Sequence, residues 1–285
     1  MGSRSSFQIF LDAEGDGGEY RYSNRPGEVQ RPHIIDRGDC LVVQAELSEV
    51  VHGTLTPNGE RATILVTDFI FLPSKSSRRF KTASISMRFE SLDDTAGDIE
   101  VTDIAPRGHF SLHRTTKQVE LTRSSNASLQ GGTIVTGCAG IGWEKKEKED
   151  RVDHTTLSGT IRLEGRNFGG KNSARWSMSE NKAQFSGIPT WLRTVTRLRR
   201  VEKQSDAKTR FSAMAEVKCS VDFASSMEES RDRLLGRIPE DDPVIFDPGE
   251  KPTTSVFDVE NLGSVDLDAH SSVIETTFLP DTIEN

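Results

Sequence analysis

The sequence predicts an all-β protein, an antiparallel β-sandwich of roughly ten strands with barrel-like closure as the variant, and one short helix near the C-terminal end. Three observations predict it. First, Arg210–Phe223 places Phe211, Ala213, Ala215, Val217, Cys219, Val221 and Phe223 at odd positions, with Ser212, Met214, Glu216, Lys218, Ser220 and Asp222 between them. That period of two describes a long strand with one buried and one wet face. Second, runs of the same kind recur along the chain between short turns. Third, no helical pattern alternates with them and no internal repeat appears, so parallel βαβ units are not expected.

The elements follow in order. Phe7–Leu11 is a short strand inside an opening segment, 1–35, whose Gly/Asp/Glu-rich and Arg-Pro-rich stretches predict loose order. Cys40–Val51 is a strand because Leu41, Val43, Ala45, Leu47 and Val51 share one parity. Pro57-Asn58-Gly59-Glu60 has Asn-Gly turn chemistry. Arg61–Leu72 is apolar on both faces and reads as a central strand, joined to its predecessor in a hairpin. Phe80–Phe89 points Ala83, Ile85, Met87 and Phe89 inward. Asp98–Ile104 is stopped by Pro106. His109–Arg114 and Lys117–Arg123 come next, and Thr133–Trp143 is expected to pair with Thr155–Leu163 across a charged loop, Glu144–Asp153. Lys171–Met178, Trp191–Val201 and Arg210–Phe223 complete the strands. Ser225-x-x-Glu228 and Ser226-x-x-Glu229 fit capping boxes, and Met227, Leu234 and Leu235 share a helical face that Gly236 and Pro239 end. The expected domain is therefore 36–236, with a capping helix over 226–236.

Charge marks the remaining boundary. From Arg237 to Asn285 there are 12 acidic and 2 basic residues, in a chain with a net charge of −8. The segment 237–285 is thus an acidic extended tail. The overall charge gives no case for nucleic-acid binding. No run approaches the length of a membrane span, and the N-terminus has no apolar signal core. Cys40, Cys138 and Cys219 are far apart and sit in apolar runs, as buried thiols of a reducing compartment do. A cytoplasmic location is the expectation.

Asp241-Asp242-Pro243-Val244-Ile245-Phe246-Asp247-Pro248, Asn261-Leu262-Gly263-Ser264-Val265-Asp266-Leu267 and Arg78-Arg79-Phe80-Lys81-Thr82-Ala83 carry a resemblance. In them the chain resembles a group of uncharacterised filamentous-fungal proteins. The resemblance implies a fungal source and transfers no activity, cofactor or site residue.

Motifs of chemistry are weak. Gly132-x4-Gly137 has Cys138-Ala139 where a phosphate loop needs Lys and Ser or Thr. His109 and His113, four apart on a strand, are separated by about 13 Å. His33, His52, His154 and His270 are isolated. Asp93, Asp94 and Asp98, and separately Asp36 and Asp39, fall in turns and have the oxygen chemistry of calcium loops, yet turn formation alone accounts for them. No catalytic residue, metal ligand or cofactor is expected. Met1-Gly2-Ser3-Arg4-Ser5-Ser6 fits the myristoylation pattern, which makes Gly2 a lipidation candidate without a polybasic second signal.

One surface stands out. Arg193, Arg197, Arg199 and Arg200, with Lys203, Lys208 and Arg210, crowd one strand pair, and the acidic tail holds short apolar clusters at Val244-Ile245-Phe246, Val256-Phe257 and Val273–Leu279. Such clusters add a strand to a sheet edge or lie in a groove. The candidate partner-binding residues are therefore Arg193, Arg197, Arg199, Arg200, Val244, Phe246 and Phe257. The expected function is an intracellular, non-enzymatic binding or scaffold module for a protein partner. The alternatives are a peripheral membrane or lipid-binding β-sandwich, and an enzyme with an unrecognised site.

Overall fold

The computed structural model describes residues 7–9, 22–37, 41–73, 79–92, 97–124, 144–201, 210–222 and 241–274. The strands among them are β1 (Phe7–Ile9), β2 (His33–Arg37), β3 (Leu41–Thr54), β4 (Arg61–Pro73), β5 (Arg79–Ser91), β6 (Ile99–Ala105), β7 (Gly108–Ser124), β8 (Glu144–Arg162), β9 (Ser173–Ser179), β10 (Trp191–Arg200), β11 (Phe211–Asp222), β12 (Val244–Phe246) and β13 (Ser272–Ile274). They form two antiparallel sheets packed face to face. The first runs β1-β11-β5-β9-β8-β7, and β12 shares the β11 edge with β1. The second runs β13-β10-β4-β3-β2, and β6 shares the β10 edge with β13. The described strands do not close into a barrel, so the sandwich and not its barrel variant is the fold.

The alternations select the core. Ala83, Ile85, Met87 and Phe89 of β5 meet Phe211, Ala213, Cys219 and Val221 of β11 and Trp176 of β9 on the inner face of the first sheet. Val43, Ala45, Phe69, Phe71, Leu192 and Leu198 face them from the second. Trp176 is fully buried, donates its indole N–H to the Pro106 carbonyl at 3.0 Å, and lies opposite Gly159 in register. A Cβ at Gly159 would lie 2.0 Å from that carbonyl oxygen, so only glycine admits the crossing.

β4 is buried on both faces, as its composition predicts. Its second face carries a separate cluster: Val51, Ala62, Ile64, Val66, Ala105 and Val195, covered by Phe257, Leu262 and Leu267. The C-terminal segment thus forms a third layer over the second sheet. The hairpin turn between β3 and β4 has Asn58 at φ 58°, with Gly59 N–H donating to the Thr56 carbonyl at 2.8 Å.

Four expectations change. Val51 does not share the parity of Leu47, because the β3–β4 register shifts between Leu47 and Glu49. The extra residue, Ser48, turns Val50 into the inner core and Val51 onto the outer cluster. Second, Glu144–Asp153 is not a loop but the first half of β8, paired with β7 from Thr115↔Asp153 to Ser124↔Glu144. Charge opposes burial, not extension, and among the described residues this ribbon pairs only with itself. Third, Thr155–Leu163 takes β7 and β9 as partners, while Thr133–Trp143, its expected partner, falls outside the described residues. Fourth, His109–Arg114 and Lys117–Arg123 are one strand, their expected break surviving as a register shift between Leu112 and Thr115. The expected helix 226–236 also lies outside the described residues.

Residues 22–37 lie along the sandwich. Ile34 and Ile35 are in the core. Tyr22 N–H donates to Asp241 Oδ1 at 2.9 Å, Asn24 N–H to Asp242 Oδ2 at 3.0 Å, and Gln30 N–H to the Ile245 carbonyl at 2.6 Å.

Candidate functional site

β10 divides its arginines between two faces. Arg193, Arg197 and Arg199 share the outer parity with Val195, while Arg200 shares the inner parity with Leu198 and is buried. Each outer guanidinium meets acids of neighbouring strands. Arg193 makes a bidentate pair with Asp68, Nε and Nη2 each at 2.8 Å, and Ser48 Oγ donates to the same carboxylate. Those hydrogen bonds hold the Arg193 pKa above its ordinary value. Arg197 reaches Asp103 at 3.3 Å and donates to the Gly263 carbonyl at 2.9 Å. Arg199 bridges Glu100 at 2.5 Å and Glu60 at 3.2 Å. The basic strand is therefore largely neutralised inside the molecule.

Three apolar tail residues, Val244, Phe246 and Phe257, are buried too. Val244 and Phe246 lie on β12, in register with Ala213 and Phe211. Phe246 stacks on Phe211 with ring centroids 4.8 Å apart. Phe257 sits over the second sheet's outer cluster against His270 at 4.7 Å. The chain's own tail occupies the edge and groove that its clusters fit. Gly2, Cys40, Cys138, Asp39, Asp93, Asp94 and the glycine run 131–142 lie outside the described residues. Asp98 pairs with Arg166 at 2.9 Å. Cys219 is a buried thiol pushed up to about 12 by desolvation, which leaves it unreactive. Among the described residues, no three His, Cys, Asp or Glu side chains gather as metal ligands, and no helix is long and apolar enough to cross a membrane.

What sequence patterns do not single out is one end of the sandwich. β3, β5, β8 and β10 finish there, and β4, β6, β9 and β11 start there: Ser91 pairs with Phe211, Arg162 with Ser173, Arg200 with Arg61 and Ile99, and Thr54 with Arg61. The connecting loops are tied together. Val101 N–H donates to the Lys171 carbonyl at 2.7 Å, and Val201 N–H to the Asp98 carbonyl at 2.9 Å. Of the nine large hydrophobic side chains exposed among the described residues, five project from this end: Leu92, Leu163, Phe168, Val201 and Val259. Phe168 is 78% exposed, in a loop bracketed by Arg166 and Gly169. Val256, 66% exposed, lies on the approach to Val259. An aromatic residue in a Gly/Asn-rich loop was the available sequence signal for Phe168.

Beside the apolar rim lies an open polar cleft of 690 Å³. Its walls are 52–54 at the end of β3, 58–61 at the hairpin turn, 200–201 at the end of β10, and 259–260 of the C-terminal segment. That last wall is held by Thr54 N–H donating to the Val259 carbonyl at 2.9 Å and Thr54 Oγ1 donating to the Glu260 carbonyl at 2.9 Å. A Cβ on Gly53 would lie 1.9 Å from the Val259 oxygen, so glycine permits the wall to close in. His52 forms the inner surface, its Nδ1 2.9 Å from Thr63 Oγ1 and its Nε2 2.9 Å from Gln30 Nε2. Burial, then the Arg200 charge, lower its pKa to about 4, so the ring is neutral at pH 7.

No family model and no curated protein matches the chain. Solved structures with a similar arrangement include the NetB toxin of Clostridium perfringens in its membrane-inserted form. It is 10% identical, over 65% of this chain and 82% of that one, with a TM-score of 0.26. The Clostridium perfringens delta-toxin is 10% identical over 67% of this chain and 89% of that one, with a TM-score of 0.27. At those TM-scores the likeness carries no inference.

Proposed function

We propose that this protein is a binding β-sandwich that docks on a lipid interface through its loop end. The observation that carries the reading is the gathering of Leu92, Leu163, Phe168, Val201 and Val259 at one end of the sheets, each more than a third exposed. Side chains of that kind on short, mutually hydrogen-bonded loops gain free energy by entering the boundary between headgroups and acyl chains. The engagement of Arg193, Arg197 and Arg199 within the chain is why this end, and not the basic strand, carries the reading. Acids and bases are interspersed around the rim, Arg61, Arg166 and Lys171 against Glu60, Asp98 and Glu164. Attraction to anionic lipid is then a minor component, and binding depends little on salt.

Sedimentation of the full-length chain with phosphatidylcholine vesicles, at low and high salt, tests this. Association at both salts is expected, weakened roughly tenfold by Phe168→Ser, since an exposed phenylalanine loses about 1.5 kcal/mol of burial. Leu163→Ser in the same chain weakens it further. Failure to sediment with vesicles of any composition, or equal sedimentation of the double variant, rejects the lipid reading.

A further inference from the structure

We propose that the cleft beside the apolar rim binds a phosphoethanolamine group, a phosphate with a primary ammonium two carbons away. This rests on the lipid-interface reading and adds the identity of the headgroup. The lining carries both signs of charge. Arg61 and Glu260 come from different walls, the hairpin turn and the C-terminal segment, both are exposed, and neither side chain has a hydrogen-bond or ion-pair partner among the described residues. The other charged groups of the lining are arranged differently. Glu60 is held by Arg199 at 3.2 Å, and Arg200, in register with Arg61, is buried and engaged within the chain. A bound zwitterion therefore finds one exposed guanidinium for its phosphate and one exposed carboxylate for its ammonium.

The form of the ammonium follows from what else lines the cleft. Its walls carry carboxylates and carbonyl oxygens, including the Val259 carbonyl, which accepts one hydrogen bond and has a lone pair to spare. Among the described residues they carry no phenyl, phenol or indole ring. A primary ammonium has three N–H donors for such acceptors. A trimethylammonium has none and is held by aromatic faces. Ethanolamine is thus favoured over choline. Neutral His52 adds no competing charge to the inner surface.

The position relative to the rim fits a lipid source. Val201 and Val259 line the cleft and also belong to the exposed apolar end. A headgroup in the cleft is therefore level with side chains that enter the acyl boundary. The volume, 690 Å³, is within the range of small-ligand sites.

The test compares full-length protein on phosphatidylcholine vesicles with and without phosphatidylethanolamine, and titrates soluble O-phosphoethanolamine, phosphocholine and inorganic phosphate by calorimetry. Expected are about tenfold stronger partition with phosphatidylethanolamine and measurable heat only with O-phosphoethanolamine. Arg61→Gln and Glu260→Gln, both exposed and safe for folding, should each abolish that preference and that heat while keeping partition onto plain phosphatidylcholine. Phe168→Ser should weaken partition onto both vesicles and leave the heat unchanged. Equal partition onto the two vesicles, with no heat from O-phosphoethanolamine, overturns the cleft assignment and leaves the lipid reading standing. Heat from O-phosphoethanolamine lost in Arg61→Gln, with no vesicle binding, supports the assignment with a soluble source and removes the lipid reading. Preference for phosphatidylethanolamine that survives both Gln variants assigns it to bilayer packing and overturns the cleft.

Discussion

His52 shows how a single side chain ties the loop end to stability. Unfolded, its imidazole binds a proton near pH 6.5; folded, near 4, because burial and Arg200 penalise the cation. The unfolded chain therefore takes up the proton first as pH falls. The stability that the neutral ring contributes is whole above pH 6.5, declines below it, and is gone near pH 4, a loss of roughly 3 kcal/mol. Thermal unfolding from pH 7.5 to 4.5 should show a Tm decline that is shallower in His52→Gln. Parallel declines in the two proteins would mean that His52 does not carry the effect. Nothing about this was legible in the sequence, where His52 is one of six scattered histidines. Its partners Thr63 and Gln30 become neighbours only when β4 and the 22–37 segment pack. The arginines of β10 illustrate the same limit. Their clustering was visible, yet Asp68, Asp103 and Glu100 are brought opposite them by strand register, and Glu60 by the hairpin turn, which charge counting does not contain.

Strands whose apolar residues alternate were legible because one buried face imposes the period: β5, β10 and β11 lie within two residues of their expected bounds. β8 was not, because its first half is selected by pairing alone. From Thr115↔Asp153 to Ser124↔Glu144, β7 and β8 pair only with each other, since β9 takes β8 no earlier than Thr156. This two-stranded arm extends about 30 Å at 3.4 Å per residue. With no third strand along that length among the described residues, it contributes little to the sandwich. Joining Thr115 to Asp153 by a two-residue Asn-Gly turn should leave Tm within about 3 °C and leave vesicle partition intact, because the loop end lies at the other extremity of β8. Loss of cooperative unfolding in that variant would show that the arm supports the core. The bulge at Ser48 escaped for a related reason: a register shift is a relation between two strands, and the alternation of β3 read alone conceals it.

Residues 22–37 and 241–247 hold one another by hydrogen bonds, Arg31 donating to the Asp242 carbonyl at 2.8 Å among them. Residues 253–270 then cover the second sheet, and β13 completes its β10 edge. The charge break at Arg237 made this segment look separable, and its acidic, Pro-bounded composition conceals how its few apolar residues are spent. Removing 241–285 takes away Phe246 and Phe257, each worth about 3–5 kcal/mol on the scale of Phe→Ala substitutions in cores. The truncated chain should unfold at a much lower Tm and bind a hydrophobic dye in the absence of heat. An unchanged Tm would make the segment a dispensable appendage.

The third layer also sets an order in time. The surface formed by Val51, Ile64, Val66 and Val195 is synthesised before Phe257, Leu262 and Leu267, which cover it. Synthesis proceeds from the N-terminus at about 5–20 residues per second, so that sheet stays bare on one side for several seconds after β10 is made. The second sheet therefore has no finished form until Leu267 has been made. Its closing step waits for residues 257–267, and a messenger cut short before them yields a sandwich with an open apolar flank, matter for quality control rather than a smaller working domain.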